Sequence, residues 1–176
     1  MLRDNIRNTE LAFFTEYFLP LAGRCLARSQ TADQAGDTVG QKTYEVVTHQ
    51  IWSLLPGFCN CPTDLVTSFR SLARILGVQL GARKEIRLDI LTALRHLVSR
   101  NLDSPARPEL ARYCKNFLPI LFNLYTSVPA GAEEAGQRLA SLETTKLFFQ
   151  VRSGTGAVRE MCSIYYQFRQ CLSADL

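Results

Sequence analysis

Residues 10–21 read ELAFFTEYFLPL, and residues 109–120 read ELARYCKNFLPI. Glu10, Leu11, Ala12, Phe18, Leu19 and Pro20 return ninety-nine positions later as Glu109, Leu110, Ala111, Phe117, Leu118 and Pro119. Phe14 returns as Tyr113, and Leu21 as Ile120. A pattern that recurs with helical spacing marks a repeat array, in which each unit buries its apolar face by stacking on a neighbour. In the first copy Leu11, Phe14, Phe18, Leu21 and Cys25 step by three or four, which predicts one face of a helix. Asn8 or Thr9 is its expected cap, and Pro20 its expected kink. Phe18 and Phe117 are expected to be buried at equivalent positions.

Beyond the two copies the helical period persists. SQTADQAGDTVG (29–40) is polar, holds two glycines and is expected to be a loop. A second helix is predicted from about Thr38 to Leu54, stopped by Pro56 and Gly57. PGFCNCP (56–62) predicts a tight turn, with Pro62 in the first turn of a third helix. That helix carries Leu65, Phe69, Leu72 and Leu76, and Gly77 and Gly81 weaken its end. A fourth, near Lys84 to Arg100, groups Ile86, Ile90, Leu94 and Leu97. Residues 101–108 hold two prolines and form a connection. The fifth helix (108–126) carries the second copy of the motif. A sixth starts near Ala132, and after Ser153 a seventh amphipathic stretch runs to about Leu172.

The expected fold is all-α, a solenoid of HEAT- or armadillo-like helical hairpins, with about three repeats and a terminal helix. Its units would be about 9–55, 62–101 and 108–151 within a segment 1–152, followed by a divergent helix at 153–176. Two units per recurrence gives about 50 residues each, above the ~40–47 of such repeats, and a loop at 29–37 would absorb the excess. A four-helix bundle plus a hairpin is the rival architecture, but it does not require the recurrence.

The chain has 176 residues, 47% of them apolar and 20% charged, an ordinary globular composition. No run approaches the ~20 apolar residues that span a bilayer. MLRDNIRNTE has charges and no apolar h-region, so the expectation is an intracellular protein whose six cysteines are reduced. The charge is uneven. Residues 1–69 hold five Lys/Arg and seven Asp/Glu, whereas residues 70–115 hold ten and four.

Catalytic and metal-binding patterns are lacking. The two histidines, His49 beside apolar Ile51 and Trp52 and His96 on the polar side of the fourth helix, have no evident nucleophile or carboxylate partner in sequence and read as packing or surface residues. Cys59 and Cys61 have no second pair to complete a zinc site and read as turn residues. Phosphate-loop, dinucleotide, zincin and nucleophile-elbow motifs are absent. The sequence therefore predicts no enzyme, no cofactor and no small-molecule substrate. The basic middle does suggest a ligand. Arg70 and Arg74 lie one turn apart, and Arg83, Lys84 and Arg87 cluster at the next turn. Exposed on one edge of a hairpin, these five would contact RNA phosphates with weak sequence preference. The alternative is a solvated face that keeps the array soluble.

TELAFFTEYFLPLA (9–22), IWSLLPGFCNCPTDLVTSF (51–69), LARILGVQL (72–80) and KNFLPILFNLY (115–125) closely resemble the ribosomal RNA-processing protein twelve family. LLPGFC followed by a Pro-Thr-Asp helix start is the most specific piece, and the match runs over roughly residues 8–150. The resemblance implies a non-catalytic nucleolar HEAT-repeat scaffold, similar in fold to karyopherins. Such a scaffold acts in pre-rRNA processing and nuclear export of pre-ribosomal subunits, binds RNA and meets the Ran-dependent transport machinery. Partners would be pre-ribosomal particles, RNA and assembly or transport proteins. Family chains are several times longer, so the resemblance implies an internal piece or a truncated product. From about Arg152 the tail no longer resembles the family. A generic module that binds a peptide or helix without RNA is the competing reading.

Overall fold

The computed structural model describes residues 10–127 and 134–153, and every regular element among them is helical. The chain divides into two compact units, residues 1–97 and 98–176.

In the first unit, helix α1 runs over residues 11–34 as three continuous pieces: Leu11–Phe13, a π-helical turn at Phe14–Phe18, and Leu19–Gln34. Pro20 has no N–H to continue the ladder, and just before it the ladder widens, with the Leu19 N–H donating to the Phe14 carbonyl. The wider turn alters which side chains face inward. Leu11 and Phe14 are fully buried, Phe18 is half-buried, and Leu21, predicted on the buried face, is 38% exposed. In the second copy, Pro119 sits inside an unbroken α-helix and Phe117 is 1% exposed. Leu11 and Leu110 thus keep equivalent burial, whereas Phe18 and Phe117 do not.

The predicted loop at 29–40 is mostly helix. Ser29 is buried with its hydroxyl on the Gln41 carbonyl, Thr31 bonds back to Ala27, and the helix ends only at Gln34. Polar residues continue a helix when their face meets water. The connection is Ala35 to Asp37, with Gly36 in the left-handed region at φ 75°. Asp37 then caps α2 (Thr38–Ser53) by accepting from the Gly40 N–H at 2.9 Å. The two helices are antiparallel: Ser29 meets Gln41 at one end, and the Phe14 and Trp52 rings lie 6.1 Å apart at the other.

Pro56 and Gly57 do not stop the chain in a bare turn. With Leu55 and Phe58 they form a short helix, α3 (Leu55–Phe58), with Pro56 in its first turn. Phe58 closes an aromatic cluster with Phe14 and Phe18, at 5.4 and 5.6 Å. Pro62 lies outside the next helix, because α4 spans Leu65–Ala82 with Asp64 at its N-cap position. A 3-10 turn at Lys84–Ile86 leads into α5 (Arg87–Arg100). The buried stripes on α4 and α5 are the predicted ones: Leu65, Phe69, Leu72 and Leu76, then Ile90, Leu94 and Leu97.

The second unit contains α6 (Arg107–Ser127) and α7 (Ala135–Ser153), packed antiparallel. Cys114 approaches the Phe148 carbonyl at 3.5 Å, the Phe117 and Phe148 rings stack at 5.4 Å, and Arg138 lies over Tyr125 at 5.0 Å. The expected start of this last helix near Ala132 and the seventh helix at 153–172 fall outside the described residues. So do the expected caps Asn8 and Thr9.

Candidate nucleic-acid interface

The five cations picked from sequence occupy three kinds of place. Arg70 and Arg74 are exposed on the outer side of α4, one turn apart, with Thr67, Ser71 and Val78 exposed beside them. Four residues of helix rise put their Cα atoms about 6 Å apart. The α4 sequence contains no Asp or Glu, and neither arginine has an ion-pair partner among the described residues. The Thr67 and Ser71 hydroxyls donate to the backbone carbonyls of Asp64 and Ser68 at 3.0 and 2.9 Å. They can still accept, so the face offers cations flanked by hydroxyls, with no carboxylate on α4 itself.

At the turn after α4 the arginines serve the fold. Arg83 binds the Glu85 carboxylate through Nε at 2.6 Å. Burial works against the charged form of Glu85, but hydrogen bonding and the Arg83 guanidinium outweigh it and hold the carboxyl below its ordinary range. Arg87 departs from expectation. It is 6% exposed, and it donates to the Leu80 and Gly81 carbonyls at 3.0 and 3.2 Å. The last carbonyls of a helix have no partner within it, and this guanidinium supplies two donors to α4. Charge spacing in a sequence reports no such demand, which is why Arg87 reads there as a surface cation. Lys84 is exposed on the turn. The structure therefore gathers Arg70 and Arg74 on one face, leaves Lys84 exposed at the next turn, and ties Arg83 and Arg87 to local partners.

Unit two shows the same partition. Arg107, at the start of α6, donates to the Gln150 and Val151 carbonyls at 2.7 and 3.1 Å and closes the end of α7. Arg112 remains 76% exposed while paired with Glu109 at 3.2 Å, and Lys115 is exposed.

The histidines differ: His49 is exposed and His96 half-buried. His96, expected on the polar side of its helix, is half-buried with Nδ1 2.9 Å from the Pro56 carbonyl. His49 Nε2 lies 3.4 Å from Asp89. Both contacts hold α5 against α2 and α3. Cys59 is fully buried, and burial first, then the Asp64 carboxylate, pushes its thiol well above the ordinary value; Cys61 is exposed. Among the described residues no group of His, Cys, Asp and Glu is arranged to hold a metal ion, and no helix is long and apolar enough to cross a membrane.

Sequence reasoning missed two features. Asp64 reaches across to the start of α1, and Phe13 and Tyr17 are exposed on the outer side of α1. A sign of the second lay in the predicted stripe itself, which leaves Phe13 and Tyr17 off the buried face of α1.

Residues 1–128 match the family model described as Ribosomal RNA-processing protein 12, HEAT repeats. A human RRP12-like protein is 43% identical over 152 residues, covering 86% of this chain and 12% of its own length. The RRP12-like protein of Gallus gallus is 40% identical over 152 residues, with the same coverage of 86% and 12%. Ribosomal RNA-processing protein 12 of Saccharomyces cerevisiae is 26% identical over 175 residues, covering 87% of this chain and 14% of its own length. The chain thus spans about an eighth of the human and chicken relatives it matches.

Proposed function

Because the chain belongs to the Ribosomal RNA-processing protein 12 HEAT-repeat family, we propose that it is a non-catalytic helical-repeat segment acting in ribosomal RNA processing. The observation that carries the proposal is the family match over residues 1–128, which takes in the whole of α1 to α6. In this reading the segment works in the nucleus and nucleolus on pre-ribosomal particles, with assembly and export proteins as partners. The HEAT units correspond to the helix pairs α1/α2, α4/α5 and α6/α7. RNA is contacted through phosphate by Arg70, Arg74 and Lys84, while Arg83 and Arg87 shape the turn that presents them. Contacts of this kind are strongly salt-dependent and only weakly selective for sequence.

Two measurements test the reading. Anisotropy titrations with structured RNA at several salt concentrations should give a steep slope of log affinity against log salt. Replacing Arg70, Arg74 and Lys84 together by Gln should flatten that slope by roughly 2–3. An unchanged slope, or no binding by the parent chain at low salt, removes the RNA role of this face. Separately, capture from nuclear extract should recover pre-ribosomal RNA and ribosomal proteins, the latter lost after RNase treatment. Recovery of neither contradicts the processing role itself.

A further inference from the structure

On the outer side of α1, Phe13 is 48% exposed and Tyr17 60% exposed, with their rings 4.7 Å apart. At the matching positions of the recurrence α6 carries Arg112 and Asn116, both exposed. The repeat pattern therefore does not require aromatic side chains there, although part of the Phe13 ring also stacks on Phe58 at 6.3 Å. Farther along the same side Gly23 and Ala27 are exposed, and a Cβ added at Gly23 would meet nothing within 4 Å. Glycine is unfavourable inside a helix, and no contact among the described residues asks for it at position 23. Glu16 and Arg24 are exposed as well, with no ion-pair partner among the described residues.

In sequence these residues are spaced symmetrically about Pro20, although the π-turn at Phe14–Phe18 lies on one side only. Tyr17 and Phe13 stand three and seven positions before it; Gly23 and Ala27 stand three and seven after it. Glu16 stands four before and Arg24 four after. The face is large and acidic on one side of Pro20, small and basic on the other. We propose that it pairs α1 with α1 of a second copy of this chain, antiparallel about a two-fold axis at Pro20. A two-fold interface must be self-complementary, and each contact in it occurs twice. Tyr17 covers Gly23 of the second copy, Phe13 covers Ala27, and Glu16 faces Arg24. The small residues let the two helix backbones approach closely enough for the rings to be covered. The pairing does not depend on RNA binding.

Sedimentation velocity on the full chain tests the pairing. A dimer should grow with concentration up to about 100 µM, in the range of weak reversible association. Gly23→Gln has open space within the monomer and a better helix former, so it should keep or raise the melting temperature. It should nevertheless weaken dimerisation about tenfold, because the added side chain occupies the seat of Tyr17. Glu16→Arg and Arg24→Glu should each weaken it by a similar factor of about ten, since each reversal acts twice. The double variant should regain the parent affinity. A monomer at every concentration overturns the proposal. So does association that ignores Gly23→Gln, or a folded double reversal that fails to recover.

Discussion

The Asp64 carboxylate accepts a hydrogen bond from the Leu11 N–H at 2.7 Å across 53 positions of sequence, and its second oxygen takes the Ala12 N–H at 2.8 Å. Glu10 stands at the N-cap of α1 without a side-chain bond, so the first amides of that helix are satisfied from the start of α4. Asp64 is also the N-cap residue of α4. One carboxylate therefore sits at two helix N-termini, where each helix dipole favours negative charge. This bond fixes the entry of α4 against that of α1, and so orients the face that carries Arg70 and Arg74.

Removing this carboxylate should loosen the first unit. Asp64→Ala is expected to cost about 1–2 kcal/mol in urea unfolding, the usual range for a lost cap. Burial opposes the charged form of Asp64, but its hydrogen bonds from Ser68, Ala12 and Leu11 prevail and lower its pKa from 3.8. A depressed folded value means the stabilisation is complete above the unfolded value and is lost as pH falls through the folded one. The stability difference between the parent and Asp64→Asn should accordingly shrink as pH drops below 3.8. A difference that stays constant to pH 2, about two units lower, would contradict a charged cap.

Arg87 and Arg107 use one device in separate units: each guanidinium closes the carbonyl end of another helix. Each forms two charge-assisted bonds, so Arg87→Ala and Arg107→Ala are each expected to lose about 1–3 kcal/mol. Lysine should recover only part of this, because an ammonium lacks the planar fork that meets two carbonyls. Chemical denaturation of the four variants checks the ordering. An Arg87→Ala protein as stable as the parent would return Arg87 to the surface and to the RNA-binding set.

How far the sequence could be read depended on the physics of each element. The stripes on α4 and α5 were legible because Leu65, Phe69, Leu72 and Leu76 keep a strict helical period with no proline between them. Residues 29–34 were not, because a helix whose exposed face is entirely polar looks like a loop when periodicity is the guide. Pro20 and Pro119 occupy the same place in the same motif, yet only the first follows a π-turn, and nothing in the flanking letters announces the difference. Arg70 and Arg74 were legible as surface cations because they lie opposite a clear apolar stripe. Arg87 was not, since the demand it meets comes from carbonyls on another helix. The same holds for Asp64, whose partners are 53 and 52 positions away.

The two copies of the motif should differ in energetic weight. Phe117 is 1% exposed and stacked on Phe148, so Phe117→Ala should cost ~3–5 kcal/mol as a core truncation. Phe18 is half-buried, and Phe18→Ala should cost clearly less, about 1–2 kcal/mol. Equal losses on thermal unfolding would mean that the π-turn does not change the role of the first copy.

Thiol reactivity offers a residue-by-residue readout of the same packing. The thiolate is the reactive species, and burial suppresses it. Burial pushes the Cys114 thiol up to about 11, against a partial opposing pull from Arg152, and Cys59 is raised further still. Cys61 is exposed two positions from buried Cys59. Alkylation of the native chain at about pH 8 should therefore modify exposed Cys61 quickly. Cys59 and Cys114 should react only through opening of their units, at rates that rise in denaturant together with global unfolding. Peptide mapping by mass spectrometry separates the sites. Arg107→Ala, which frees the end of α7, should speed labelling of Cys114 and leave Cys59 unchanged, because the two thiols lie in different compact units. Equal acceleration at both cysteines would show that the units open together.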